Sequence, residues 1–254
     1  MTDRVRVAAE SLRAHGAVVR VEGEGAHHLA RVLRVKVGAE FELFDGEGWV
    51  ALGAVQRVDG GGVTFALVEA PRQGPCADRA AVTWWQGFPK GDKWETVIRQ
   101  ATELGVARVG PVFTERAVVQ PRAERAEARL VRWQRVAEEA ARQCGRADVP
   151  EVLEACTLAQ ALAGLGAQAA GALRVVCAPG ASRALTEVVS GAAGPLTVLV
   201  GPEGGLSEDE LVCCEAAGFV RVSLGPRVWR TETAAPAVLG IVSALMGDLT
   251  FRAG

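Results

Sequence analysis

The stretch PLTVLVGPEGGLSEDELVCCEAAGFVRVSLGPRVWRTETAAPAVLGIVSALMG, Pro195 to Gly247, constrains the fold more than any other part of the chain. An apolar strand runs into a Gly/Pro loop, a helix comes next, a second strand enters a second Gly/Pro loop, and a helix closes the segment. Two strand ends that both finish in loops poor in side chains leave a cleft where backbone amides and carbonyls can meet a flat ligand. The first loop, GPEGG (Gly201–Gly205), is not a phosphate-binding P-loop. Leu206-Ser207-Glu208 stands where Lys and Ser/Thr would be needed, and the dinucleotide spacing GxGxxG is absent. Ser207 and Glu210 form an S-x-x-E capping box, so the next helix satisfies its own free amides. Glu208, Asp209 and Glu210 fill its first turn, and a phosphate there would be repelled. The pattern predicts a ligand that is neutral or cationic where it touches the loop, with an adenine-like edge for backbone hydrogen bonds.

Upstream, Val18 to Glu69 reads as short β segments around one helical turn. AHHLARVLRV (Ala26–Val35) sets Leu29, Val32 and Leu33 at helical spacing. VGAEFELFDGEGWVALGAVQRV alternates like a hairpin with its turn at Asp45-Gly46, and Gly60, Gly61 and Gly62 make another turn before VTFALVEA. Short strands without βαβ repeats predict a small barrel over residues 1–73. APRQGPCADRA (Ala70–Ala80) has linker composition, with the linker itself at 74–80 and a second domain over 81–254. That domain alternates: strand AVTWWQGF, helix KWETVIRQATELGV, strand ARVGPVFT, long helix ERAEARLVRWQRVAEEAARQCG, and later strand LRVVCAP (Leu173–Pro179). Trp94, Val97, Ile98, Ala101 and Leu104 form the apolar stripe of the first helix, closed by Gly105 as C-cap. The reading is an α/β sheet with helices on both faces. Ala155 to Ala172 reads as a helix with loops.

Composition removes several chemistries. A chain of 254 residues, 49% hydrophobic, suits two modest cores. No apolar run of about 18 residues and no basic-then-apolar N-terminus appear, which predicts a cytoplasmic protein with no membrane span. Six cysteines without a CxxC pair fit reduced thiols and no structural zinc. His15, His27 and His28 are the only histidines, all in the first domain, and there is no tyrosine. A Ser-His-Asp site in the second domain is thereby excluded and no metal site is expected, so proton transfer there falls to a carboxylate, water or a polarised substrate. His27-His28 reads as a surface helix pair. Residues 76–150 carry 13 Lys/Arg against 10 Asp/Glu, whereas 151–254 carry 6 against 10, a polarity that suits an anionic polymer held by the middle of the chain.

Five collinear strings carry a family resemblance: HHLARVLRVKVGAEFELFDGEG, KGDKWETVIRQATELGVARVGPVFTERAVVQ, RWQRVAEEAARQCGRADVPEV, LVGPEGGLSEDEL and LGPRVWRTETAAPAVLGIVSAL. In this order they resemble the 16S ribosomal RNA uridine N3-methyltransferases (the RsmE family). The resemblance implies a PUA-like β-barrel followed by an α/β SPOUT domain whose C-terminal stretch, 195–247, is tucked into a trefoil knot, a rare topology. It also implies a homodimer, S-adenosylmethionine as methyl donor, and methylation of N3 of a uridine in 16S ribosomal RNA of the small subunit. Carried over residue by residue, the cofactor would meet Leu199, Gly201, Glu203 and Gly204 from the first loop and Leu224, Gly225, Trp229, Thr231 and Thr233 from the second, with the carboxylates of Glu203 and Glu232 favouring its sulfonium. N3 of uracil must lose a weakly acidic proton and the resulting anion must be shielded. Arg230 is the first candidate for that role, with Glu232 beside it and Glu115 and Arg116 behind. Arg31, Arg34 and Lys36 on the barrel, with Arg116, Arg142 and Arg146, are the candidate RNA contacts. A SPOUT enzyme acting on another RNA such as a tRNA, and a non-catalytic RNA-binding assembly factor of the same fold, stay open.

The chain departs from the family pattern in places. MTDRVRVAAE does not match the usual opening strand, VVCAPGAS lacks an acidic residue, and Trp94 and Trp229 replace smaller side chains. Pro236 falls in the first turn of the closing helix if that helix starts near Thr233, and kinks it if the start is earlier.

Overall fold

The computed structural model describes residues 3–13, 17–76, 81–91, 93–117, 126–166, 171–192 and 194–246. Its contacts group Met1–Cys76 with Glu138–Val149, and Ala77–Ala137 with Pro150–Gly254. No helix among the described residues is long and apolar enough to cross a membrane.

The first unit contains β1 (Arg4–Arg6), α1 (Ala9–Arg13), β2 (Val18–Val21), α2 (Gly23–His27), a π-helical turn (His28–Val32), β3 (Glu40–Phe44), β4 (Trp49–Asp59), β5 (Gly62–Leu67) and β6 (Arg72–Gln73). The sheet runs β1-β3-β4-β5-β2, with β6 on β4, and only β1 joins in parallel. The unmatched N-terminus therefore does supply a strand. Alternate residues Val19, Val21, Phe41, Leu43, Val55, Val63 and Phe65 point inward, and Phe41 meets Phe65 edge-on at 5.8 Å.

The expected stripe Leu29, Val32, Leu33 does not form. Leu29 is buried, but Val32 and Leu33 are exposed. The Leu33 amide bonds back five residues to the His28 carbonyl at 3.0 Å, and this wider turn rotates Val32 and Leu33 off the face that 3.6 periodicity predicts.

Residues 138–149 belong with the barrel through specific bonds. Arg4 Nη1 donates to the Arg146 and Ala141 carbonyls at 2.8 and 3.2 Å, and the Val149 amide donates to the Gly46 carbonyl at 2.9 Å. The Ala147 amide donates to the Pro75 carbonyl at 2.6 Å, so the start of the expected linker is tied down. Residues 77–80 of that linker lie outside the described residues.

The second unit contains β7 (Val82–Gly87), α3 (Lys93–Glu103), β8 (Arg108–Phe113), α4 (Ala126–Cys144) as far as Ala137, β9 (Glu151–Val152), β10 (Cys156–Thr157), α5 (Leu158–Ala163), β11 (Leu173–Cys177), α6 (Leu185–Val189), β12 (Leu196–Val200), α7 (Glu208–Ala216), β13 (Val220–Val222) and α8 (Thr231–Met246). Its seven strands are all parallel, in the order β10-β8-β7-β12-β11-β13 with β9 on β8. A parallel sheet of this kind needs both faces covered. Trp85, Leu199 and Val176, neighbours across three strands, pack with Leu158 and Ala161 of α5 and Leu211 and Cys214 of α7. Trp84, Val198 and Val175, one residue out of phase, are fully buried on the opposite face.

α3 forms as its stripe predicts, with Trp94, Val97, Ile98 and Ala101 buried. Gly105 takes φ +82°, and the Val106 amide returns to the Ala101 carbonyl at 3.0 Å, closing the helix in a left-handed cap. Trp94 is accommodated by aromatic neighbours, Trp133 at 5.8 Å and Phe88 at 6.3 Å. The capping box of α7 is present in both directions: the Glu210 amide donates to Ser207 Oγ at 3.3 Å and the Ser207 amide to Glu210 Oε2 at 2.8 Å. Ser207→Ala should lower stability by about 1 kcal/mol, read as a lower denaturant midpoint at unchanged slope.

The chain leaving β13 is pinned to the loop after β11. The Ser223 amide donates to the Arg183 carbonyl at 2.8 Å and the Leu185 amide to the Ser223 carbonyl at 3.1 Å. α8 then packs on α3 and α6. It begins at Thr231, so Pro236 is not in the first turn but inside the helix. Its missing N–H leaves the Glu232 carbonyl without the usual helical donor.

Candidate active site

The chains leaving β11, β12 and β13 emerge at the C-terminal edge of the sheet. There Ala178-Pro179, Gly201–Leu206, Leu224-Gly225, Arg227–Arg230 and the start of α8 enclose a cavity of about 680 Å³. That is the size of a small-molecule site, at the sheet edge where α/β folds bind ligands.

Each loop has a local cause. Gln86, fully buried at the end of β7, donates from Nε2 to the Gly201 carbonyl at 3.1 Å and so fixes the start of the GPEGG loop. Gly87 lies against that loop so closely that a Cβ would sit 2.3 Å from Pro202 N and 2.8 Å from Gly201 C. Gly225 takes φ +97°, the left-handed turn that lets the second loop double back, and its amide donates to Ser223 Oγ at 3.2 Å. A Cβ on Gly201 would meet Leu206 N at 3.1 Å, and one on Gly204 would meet Arg116 Cβ at 3.0 Å. The absent side chains of these two glycines thus serve the folding of the loop itself, rather than only the approach of a ligand.

The electrostatics centre on Lys93, the first residue of α3, which the sequence reading missed. Its Nζ lies 3.1 Å from Glu203 Oε1 and 3.2 Å from Glu232 Oε2. Glu203, and after it Glu232, raises the Lys93 pKa above its usual value, so the ammonium stays charged. Burial works to raise the Glu203 pKa, but its own amide, Lys93 and the Lys90 amide outweigh it and the net shift is downward. Glu232 is lowered first by its own amide, against burial, and then by Lys93 and Arg230. Both groups are therefore carboxylates at neutral pH. Burial pushes the Cys177 thiol, on the cavity wall, up to about 12.

Of the expected cofactor residues, the cavity gathers Gly201, Glu203, Gly204, Leu224, Gly225, Trp229 and Thr231, with Arg230. Leu199 is not on its wall: the side chain is fully buried under α5 and α7, and Val200, the next residue, faces the cavity instead. Thr233 is exposed in the first turn of α8, its amide donating to the Arg230 carbonyl at 2.9 Å, and is not on the wall either. The Arg230 side chain is exposed and makes no hydrogen bond or ion pair with a described residue, since Glu232 turns to Lys93.

The candidate RNA contacts divide. Arg31, Arg34 and Lys36 are exposed and unpaired among the described residues. Arg34 is the only described non-glycine residue with positive φ, +49°. Arg116 lines the cavity and donates from Nη1 to the Gly204 carbonyl at 3.3 Å, so it braces the loop. Glu115 donates its amide to Glu210 at 2.7 Å. Arg142 is engaged by Glu139 at 3.0 Å. Arg146 is a correction: it is 7% exposed and forms a two-point pair with Asp148 at 2.7 and 3.0 Å, because a buried guanidinium requires a partner. It presents no charge to a phosphate. Among the described residues no cluster of three or more His, Cys, Asp or Glu is placed to hold a metal.

Comparison with known proteins identifies the family and the fold. Residues 77–243 match the RNA methyltransferase domain family and residues 21–68 the RNA methyltransferase PUA domain. The chain is 35% identical over 231 residues to ribosomal RNA small subunit methyltransferase E of Mycobacterium tuberculosis, covering 91% of this chain and 87% of that one. It is 31% identical to the protein of that name from Bacillus subtilis, with 88% of each covered. In structure it resembles a Legionella pneumophila protein solved with S-adenosylmethionine (TM-score 0.85, 28% identity, 96% and 98% of the chains covered). It equally resembles Neisseria gonorrhoeae ribosomal RNA small subunit methyltransferase E bound to S-adenosylmethionine (TM-score 0.85, 27% identity, 98% and 100% covered).

Proposed function

The chain belongs to the RNA methyltransferase family, and on that footing we propose that it transfers a methyl group from S-adenosylmethionine to N3 of a uridine in 16S ribosomal RNA. The observation that carries this reading is the cavity with Glu203 and Lys93 on its wall, Glu232 ion-paired to that lysine, and the Arg230 side chain on the lining without an ion pair of its own among the described residues. The cofactor supplies an electrophilic methyl carbon on a sulfonium cation.

The residues present fit that group. The volume suits it, no phosphate is demanded, and the backbone of Gly201–Leu206 and Leu224-Gly225 offers amides and carbonyls to an adenine edge. Glu203 on the wall, and Glu232 joined to it through Lys93, would favour the positive charge. Cys177, kept as a thiol, is a poor nucleophile toward the methyl carbon. Arg230 shields the uracil anion through O2 or O4 as the N3 proton leaves. A carboxylate lowered in pKa is a weak base, so Glu232 acts by charge and the proton passes to water.

Arg31, Arg34 and Lys36 contact RNA phosphates, an assignment supported by their exposure and freedom. In this reading the enzyme is a cytoplasmic homodimer, and the pinned passage after β13 is threaded as a trefoil knot.

The test is incubation with labelled S-adenosylmethionine and small-subunit particles from a strain lacking the activity, then nucleoside mapping. Label in 3-methyluridine of 16S RNA is expected. Label confined to tRNA would overturn the target, and no transfer to any RNA would overturn the reaction.

A further inference from the structure

We propose that Arg227 binds an RNA phosphate beside the target uridine, so that two arginines of one loop divide the substrate between them: Arg227 holds the polymer and Arg230 meets the base. The inference rests on the RNA methyltransferase reading above and deepens it, by naming a residue through which that site takes its polymer.

The charge on the cavity wall has the wrong sign for a cationic cofactor alone. Lys93, Arg116, Arg227 and Arg230 line the cavity against a single carboxylate, Glu203. Lys93 is engaged by Glu203 and Glu232, at 3.1 and 3.2 Å. Arg116 turns to the GPEGG loop, where Nη1 donates to the Gly204 and Leu206 carbonyls at 3.3 and 3.5 Å, neutral acceptors that leave its charge unbalanced. Arg227 and Arg230 are exposed, and neither side chain makes a hydrogen bond or ion pair with a described residue. A sulfonium gains nothing from these cations, and the one carboxylate of the cofactor does not account for three arginines. The ligand that uses the surplus is an anion with charges spaced along it, which is what an RNA backbone offers.

The loop that carries both free arginines is held at its two ends. At the first, the Ser223 amide donates to the Arg183 carbonyl at 2.8 Å, and the Gly225 amide donates to Ser223 Oγ at 3.2 Å. At the second, where α8 begins, the Arg230 carbonyl accepts from the Thr233 and Ala234 amides at 2.9 and 3.1 Å. Between them Pro226 fixes its own φ. The tip therefore presents Arg227, and beside it Val228 at 82% exposure, with little backbone freedom left to lose on binding. A phosphate contact positions a strand without reading its sequence, and that is the part left to Arg227 once Arg230 is given to the uracil anion.

The test is the binding of unmethylated 16S ribosomal RNA to the full chain, with S-adenosylhomocysteine present, as salt is raised. One phosphate contact on a single strand carries a log-log slope of about −0.7, or about fivefold in affinity between about 0.1 and 1 M salt. Arg227→Gln should therefore bind about fivefold more weakly at about 0.1 M salt, approach wild type near 1 M, and make the slope shallower by about 0.7. Arg227→Lys should restore both, because a phosphate accepts a point charge. In steady state the loss in Arg227→Gln should fall on KM for RNA rather than on kcat. Weakened binding of S-adenosylmethionine would make Arg227 a cofactor residue, and a changed sedimentation coefficient would make it a contact between copies of the chain. Either result, or an unchanged salt slope, overturns the proposal. Wild-type protein that methylates no RNA would remove the reading on which the inference rests. A wild type that methylates 16S RNA, beside an Arg227→Gln protein of unchanged slope, would remove the assignment of Arg227 alone.

Discussion

Replacing Arg230 by alanine should lower single-turnover methylation by about a hundredfold to a thousandfold, the loss seen when one preorganised donor to a developing anion is removed. The melting temperature and the affinity for S-adenosylmethionine should stay close to wild type. This separation of rate from binding and stability has its cause in the surroundings of the residue. The Arg230 side chain is exposed, lines the cavity and makes no hydrogen bond or ion pair with a described residue, so truncation strands no buried charge. Glu203 and Glu232 keep their ion pairs with Lys93, and Glu232 loses only the smallest of the influences that lower its pKa. The demand for Arg230 arises when uracil N3 loses its proton and negative charge spreads to O2 and O4. A planar guanidinium matches two such acceptors better than an ammonium, so Arg230→Lys should recover only part of the rate. Rapid-quench turnover, a cofactor titration and a thermal melt distinguish the outcomes. Near-normal turnover in the alanine variant would remove Arg230 from the mechanism, and a parallel loss of cofactor affinity would make it a binding residue.

The features legible in the sequence were local. The capping box of α7, the stripe and left-handed cap of α3 and the two side-chain-poor loops all depend on residues a few positions apart, whose propensities agree with the final fold. Most of the cavity wall was legible too, because both loops lie in one short segment. The π-helical turn after His27 was not, since its wider hydrogen bond alters the period on which the prediction of Val32 and Leu33 relied. Arg146 looked like its exposed neighbours, and only the fold of Glu138–Val149 against the barrel buries it beside Asp148. Lys93 shows the limit most clearly. Its partner Glu203 is 110 positions away, and sequence offered one hint: a lysine opening a helix, where dipole electrostatics would place an acid.

Gly87 tests the site from its supporting side. It ends β7 behind the GPEGG loop, outside the cavity wall, and its hydrogen-for-methyl exchange would place a carbon 2.3 Å from Pro202 N and 2.4 Å from Pro202 Cδ. Both atoms belong to a rigid prolyl unit, so no flexible side chain can swing away and the loop backbone must move. Gly87→Ala should therefore destabilise the protein by about 1 to 3 kcal/mol, as overpacking does. It should also weaken S-adenosylmethionine binding at least about tenfold, because a displacement near 1 Å carries Gly201 and Glu203 out of place. Gly105→Ala is the control: with φ +82° and open space around the new methyl, it incurs backbone strain of about 1 kcal/mol far from the cavity. Comparable losses of stability in the two variants, with cofactor affinity lost in Gly87→Ala alone, would tie the affinity to the seating of the loop on β7. Equal affinities in both would show that the loop can shift without disturbing the ligand, and the close approach at Gly87 would then matter to packing only.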